Sequence, residues 1–337
     1  MKQQAKSFQV FSLAKLSPQH LKEVKHLAAL CKRVDGFDPV FYWNTIENRR
    51  NPGIHEFLCY SLDSTLVGYL AIYHFEEQEV EVTLVVHPDY RAHNIQGRLF
   101  EKLKQAVAES PIDISRYVFT CNQENTLLKE FLKTESAHCA GVTRKLALTA
   151  RHYEKLKIAY EIAGGELLPV VLTLAEKNHI PALAKLGARC FGVAMADYQY
   201  YLEQALSDPS KRIIVMRYQE KVIGKVHAHL DKRKAFLYDL CVDPAFQNQG
   251  LGGTLLCRAL QMLFDEKMTQ AIVDVSHDST LTWYEKFKFK CTTTYEHWKL
   301  PVFVAPLKQR EKNLDELLLN FQCSQVQDQL AQVVSRH

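Results

Sequence analysis

Apolar residues recur at helical spacing over 18–32, at Leu21, Val24, Leu27 and Leu30, and a similar pattern returns over 178–190. Each stretch follows a short, mostly apolar run suited to a strand (8–14; 168–174). A second helical segment rich in aromatics comes next (39–48; 196–206). Two strands joined by "LDST" or by "YQEK" then read as a hairpin. Another strand (79–86; 235–242), a polar loop and a helix (95–108; 251–265) follow. A strand (115–121; 270–276), a helix (124–133; 279–287) and a final strand complete the series. Hairpins followed by strand–helix–strand predict an α/β (α+β) class: a mixed, mostly antiparallel sheet flanked by helices.

The series occurs twice because the sequence repeats. At an offset of 156, residues 55–100 pair with the second half without gaps. Gly68 falls on Gly224, Pro88 on Pro244, Tyr90 on Phe246 and Leu99 on Leu255. Nearer the start the offset is 159, and Cys31 falls on Cys190. The expected organisation is an N-terminal domain (1–150), a linker (151–166) reading as a short helix ended by Gly164 and Gly165, a C-terminal domain (167–303) and a helical tail (304–337). In the tail, Asn313 and Glu316 resemble a capping box, and Leu319, Val326, Leu330 and Val333 share a face. That face either packs on its own domain or forms a homodimer.

Length and composition fit two soluble globular domains: 337 residues, 47% hydrophobic. The net charge of +4 suits an anionic small ligand and is too weak and scattered to indicate nucleic acid. Nine cysteines stand singly with no CxxC spacing, which argues against a zinc or redox site and for reduced thiols in a cytoplasmic protein. The apolar runs are too short to span a bilayer, and the start has no secretory signal pattern. No membrane partner and no metal are expected.

The chemistry concentrates in "VDPAFQNQGLGGTLL" (242–256). Asp243-Pro244 ends a strand, and Gly250, Gly252 and Gly253 open a helix. Such a turn presents free backbone N–H groups and the positive end of the helix dipole to an anion, and glycine lets a phosphate approach closely. The bland alternative is a tight, close-packed turn. Gly253 is followed by Thr254 without a lysine, so this is no Walker loop, and it comes too late in its unit for a dinucleotide fingerprint.

"LCVDPAFQNQGLGGTLL" resembles motif A of the GNAT superfamily of acyl-CoA transferases. Val242, Pro244, Phe246, Gln247, Gly250, Gly252 and Leu255 match it in register. "HDSTLTWYEKFKF" (277–289) resembles motif B through Tyr284, Glu285, Lys286 and Phe289. It departs from that motif at His277, Thr280 and Lys288. The resemblance covers nearly the whole chain, twice, and implies two tandem GNAT-like domains. It implies acetyl-CoA as co-substrate, its pyrophosphate held by the backbone of Gln249, Gly250, Leu251, Gly252 and Gly253. Gln247 would add a side-chain donor, with Asn248, Thr254 and His277 close by. The pantetheine would pair along Leu240, Cys241 and Val242. Tyr284 stands where the family often places its general acid, or else packs under the cofactor. Asp239 is the candidate base, or a solvated strand carboxylate on a regularly alternating strand. Asp274 and His277 are further candidates. His227 and His229 either line the cleft or cover the sheet.

The first copy departs from the pattern. Arg91 takes the place of Gln247, Asn94 and Gln96 replace Gly250 and Gly252, and only Gly97 remains. Lys129 stands for Tyr284 and Thr83 for Asp239. Asn tolerates left-handed backbone, so the turn can survive while the chemistry is lost. The first domain is expected to be degenerate, binding CoA weakly or helping to shape the cleft. The expected function is N-acetyl transfer from acetyl-CoA to a primary amine of a small-molecule or peptide acceptor, by direct attack in a ternary complex of the C-terminal domain. The alternative is a non-catalytic acyl-CoA binding or sensing protein.

Overall fold

The computed structural model describes residues 7–49, 53–75, 78–110, 113–155 and 168–302. They form two compact units, each a sheet with helices packed on it. The first holds β1 (Phe8–Leu13), α1 (Pro18–Asp35), α2 (Trp43–Glu47), β2 (Glu56–Ser61), β3 (Leu66–Tyr73), β4 (Glu79–Val86), α3 (Ile95–Glu109), β5 (Arg116–Asn122) and α4 (Thr126–Thr134). The second holds β7 (Val171–Leu174), α5 (Ile180–Phe191), α6 (Met195–Ser207), β8 (Lys211–Tyr218), β9 (Lys221–Asp231), β10 (Lys234–Val242), α7 (Leu251–Asp265), β11 (Gln270–Val275) and α8 (Asp278–Lys286). Two further strands, β6 (His138–Thr149) and β12 (Lys290–Pro301), each contribute to both units.

Strand order is β1-β2-β3-β4-β5-β12 in the first unit and β6-β11-β10-β9-β8-β7 in the second. One pair in each is parallel, β4 with β5 and β10 with β11. The other registered pairs within each unit are antiparallel. Alternate residues of β2 and β3 feed two cores. Phe57, Leu70 and Ile72 pack with Leu99 and Leu103 of α3, while Leu58, Tyr69 and Ala71 pack with Val24 and Leu27 of α1. A sheet covered on both faces needs nearly continuous apolar strands, and β3 is buried from end to end.

The compact units differ from the contiguous sequence partition by an exchanged strand. The first runs to Thr143 and resumes at Thr293; the second runs from Arg144 to Thr292. Packing gives the reason. Tyr295–Pro301 of β12 ladders with β5 and sends Trp298 and Leu300 into the first unit's core. Arg144–Thr149 of β6 ladders with β11 and sends Leu146 and Leu148 into the second unit's core.

The aromatic-rich helix expected over 39–48 is confined to Trp43–Glu47. Pro39 precedes it, and Phe41 leaves the helical path to stack on Trp43 at 4.3 Å and on Tyr69 at 5.8 Å. Among the described residues no helix is long and apolar enough to cross a membrane, and no cluster of ligands could hold a metal. The eight described cysteines are free. The expected tail helix, its capping box and Gly164-Gly165 lie outside the described residues.

Candidate functional site

In the second unit, β10 ends at Val242 and a single 3-10 turn (Pro244–Phe246) leads to α7. Asp243 caps that turn, accepting the Ala245 N–H at 3.0 Å, and is itself paired with Arg189 at 2.7 Å. Gly250 then adopts φ 77° and ψ −7°, a left-handed conformation that glycine takes without penalty, and α7 begins at Leu251. The stretch 247–250 is exposed, and no side chain caps this helix among the described residues. Leu251 and Gly253 face the core, whereas Gly252 and Thr254 are half-buried on the outer side. A Cβ at Gly252 would meet only Trp283, at an ordinary 3.6 Å. The loop is therefore a helix N-terminus with open N–H groups and a bare approach, which suits a phosphate.

Two of the expected contacts are taken within the chain. The Gln247 amide donates to the Val242 carbonyl at 2.9 Å, and the Cys190 thiol lies 3.7 Å from the same oxygen. Val242 also stands opposite Gly224 in the β9 ladder. His277 occupies the N-cap position of α8 without capping it.

Asp239 departs from the alternation expected of a strand. Tyr238 pairs with His227 and Cys241 pairs with Lys225, so one extra residue bulges from β10. Asp239 itself has φ 50°. The bulge turns its carboxylate into a buried polar cluster drawn from three elements. Asp239 Oδ2 accepts the Tyr198 hydroxyl at 2.7 Å. The same oxygen lies 3.5 Å from Lys225 Nζ and 3.7 Å from His227 Nδ1. Lys225 Nζ donates to the Tyr198 oxygen. Tyr201 donates to Tyr238 at 2.8 Å and lies 3.4 Å from His227. The Lys225 and His227 side chains are fully buried, while that of Asp239 keeps 23% of its surface.

Burial sets the protonation of the cluster. It presses His227 well below the ordinary histidine range, with Lys225 adding repulsion. It also lowers Lys225, against the attraction of Asp239. For Asp239, burial opposes ionisation, but neighbouring His227 and Lys225 and the Tyr198 hydrogen bond outweigh it and hold the carboxyl below its usual range. Tyr198, Lys225, Tyr201 and Tyr238 escape a reading by motif. The available signal was "KVHAH" (225–229), polar residues alternating along an otherwise apolar strand, on which His229 sits further along near Ser210.

Tyr284, on α8, is buried in the apolar core, edge-on to Trp283 at 4.8 Å and to Phe289 at 5.2 Å. Burial pushes its phenol well above the ordinary tyrosine range, so it keeps its proton.

The first unit has the frame of this site with different residues at the matched positions. Asn94 takes the left-handed position (φ 52°, ψ 38°) and Arg91 Nε reaches the Val86 carbonyl at 3.4 Å, as Gln247 reaches Val242. Arg91 is also forked onto Asp35 at 2.8 and 2.7 Å. The Asn94 side chain lies over Gly97, where a Cβ would be 2.5 Å from its oxygen. β4 pairs with β3 in unbroken register, so no bulge forms. Thr83 bonds the Val40 carbonyl at 2.9 Å, and Tyr69, in the place of Lys225, serves a buried Arg49–Glu56 pair. Lys129 is drawn to Glu296 at 3.3 Å. A cavity of about 310 Å³ remains beside Leu84, Val86, Arg91 and Gln96.

A family model described as the acetyltransferase (GNAT) family matches the sequence twice, over residues 21–134 and 180–289. No curated protein sequence matches the chain. Among solved structures, a tandem GNAT protein from the clavulanic acid biosynthesis pathway aligns with TM-score 0.68 at 14% identity, over 89% of this chain and 100% of its own. A GCN5-related N-acetyltransferase from Sphaerobacter thermophilus aligns with TM-score 0.67 at 12% identity, over 89% and 98%. A glucosamine N-acetyltransferase region of a fungal multi-domain β-N-acetylglucosaminidase gives 0.65 at 14%, over 87% and 38%. At these identities the likeness is one of fold.

Proposed function

The chain belongs to the GNAT family of acetyltransferases, and on that premise we propose that its second unit transfers an acetyl group from acetyl-CoA to a primary amine. One observation carries the reading. A left-handed glycine opening an uncapped helix and a bulged carboxylate lie at the same end of β10; the first unit opens its helix in the same left-handed way but on Asn94, whose side chain lies over Gly97, and has no bulge.

The pyrophosphate would rest on backbone N–H groups from Gln249 to Gly253, with Asn248, Thr254 and His277 beside them. The pantetheine would run along Leu240, Cys241 and Val242, where the parallel ladder with β11 has already stopped at Leu237. An acceptor nitrogen attacks the thioester carbonyl carbon. The oxyanion that forms collapses, the C–S bond breaks, and the acetyl group stays on nitrogen. Asp239 takes the proton shed by nitrogen, and Tyr284 gives one to the departing thiolate. Ordering both reactants on one frame supplies much of the rate.

Release of free CoA thiol from acetyl-CoA across a panel of small amines and short peptides tests this reading. At least one amine is expected to drive release. Asp239→Asn is expected to cut kcat by about 10²-fold or more while acetyl-CoA still binds. Binding without release for every amine would instead favour an acyl-CoA sensor.

A further inference from the structure

We propose that Lys225 is a positioning residue, which holds the Asp239 carboxylate ionised and aimed through Tyr198; this rests on the acetyltransferase reading above. A lysine ammonium sealed from water is costly unless its charge and hydrogen bonds are met. Lys225 meets both needs at the bulge. It donates to the Tyr198 oxygen, Tyr198 donates to Asp239 Oδ2 at 2.7 Å, and the ammonium lies 3.5 Å from that same oxygen. Its other neighbours are His227 Nε2 at 3.5 Å, the Tyr198 ring at 4.4 Å and the Phe191 ring at 5.1 Å. None of these contacts uses Oδ1, and the carboxylate retains an exposed side. Lysine, hydroxyl and carboxylate thus form one line that ends at solvent.

The internal repeat gives an independent argument. The first unit has Tyr69 in place of Lys225, Thr83 in place of Asp239, and a β3–β4 ladder without a bulge. Lysine, carboxylate and bulge occur together in one unit and are missing together from the other. If Lys225 only filled space, nothing would tie it to a bulge on the next strand.

The titratable groups around Asp239 come from every packed element. They are Tyr198 and Tyr201 on α6, Lys225 and His227 on β9, and Tyr238 and Cys241 on β10. Behind them, Cys190 of α5 faces Lys225 and Lys211 of β8 faces His227. Of these, Lys225 is the cation closest to the carboxylate.

The test follows the protonated-carboxyl infrared band of Asp239 in the full chain against pH, assigned by its loss in Asp239→Asn. In Lys225→Met the midpoint is expected to rise by at least one pH unit, and Lys225→Arg is expected to restore most of the shift. Tyr198→Phe, which removes only the linking oxygen, is expected to raise the midpoint by a smaller amount and serves if Lys225→Met fails to fold. An unmoved midpoint in the folded variants overturns the proposal. Thiol release separates the two layers. If Asp239→Asn retains full activity, the carboxylate is not the base, yet the infrared titration still decides whether Lys225 holds it.

Discussion

Asp239 faces the buried polar cluster because an extra residue in β10 breaks the alternation of the strand. Its identity as the acidic residue before the glycine loop was visible; its direction was not. The ungapped repeat offset of 156 passes straight through the bulge, so alternation gave no hint that β10 carries an extra residue. The matched glycines were more readable. A Cβ on Gly68 would stand 2.5 Å from Ile95, and one on Gly224 would stand 2.8 Å from Met216 and 3.2 Å from the Cys241 carbonyl. Both mark close packing on β3 and β9. A different residue carries a pH effect. Burial, reinforced by the charge of Arg49, lowers His74 from 6.5 to about 4. The unfolded chain binds that proton more readily than the native one. His74 therefore contributes fully above about pH 6.5, and its contribution is lost as pH falls toward about 4. The loss amounts to roughly 3 kcal/mol at most. Denaturant unfolding between pH 7 and 4 is expected to show this slope, and His74→Gln is expected to flatten it.

The strands and helices were largely legible because both units bury long apolar runs with clear punctuation. β4 and α7 fall where the pattern put them. α1 extends to Asp35 because Gly36, at φ 80°, is what ends it. The second hairpin turns at Gln219 and Glu220, both left-handed, although neither residue is a usual turn former. The bulge is the element that distinguishes the second unit from the first. Deleting Leu240 should restore the unbroken register seen between β3 and β4. Far-UV circular dichroism is expected to stay native-like while thiol release falls by about 10²-fold or more, since a carboxylate moved by about 1 Å no longer serves the reaction. Retained activity would show that the bulge does not aim it.

For the whole molecule, the repeat was plain in the sequence and the exchange of its last strands was not. Sequence similarity fades towards the ends of the repeat, and β-pairing between segments about 180 residues apart leaves no local trace. The exchange has a direct consequence. A fragment of residues 1–150 lacks Tyr295–Pro301, leaving β5 an open edge and removing Trp298 and Leu300 from its core. Expressed alone, it is expected to aggregate or unfold without cooperativity by light scattering and thermal melting. A soluble, cooperatively folding fragment would show that the exchanged strand is dispensable.

If the glycines before α7 hold a phosphate and the Asn94 turn before α3 does not, acetyl-CoA binds the second unit alone. Calorimetric titration of acetyl-CoA into the full chain tests it most directly, alongside Gly252→Val, whose Cβ the native backbone accepts but whose bulk covers the open helix end. One site per chain is expected, lost in the variant while the fold persists. Two sites, or one that survives Gly252→Val, would contradict it.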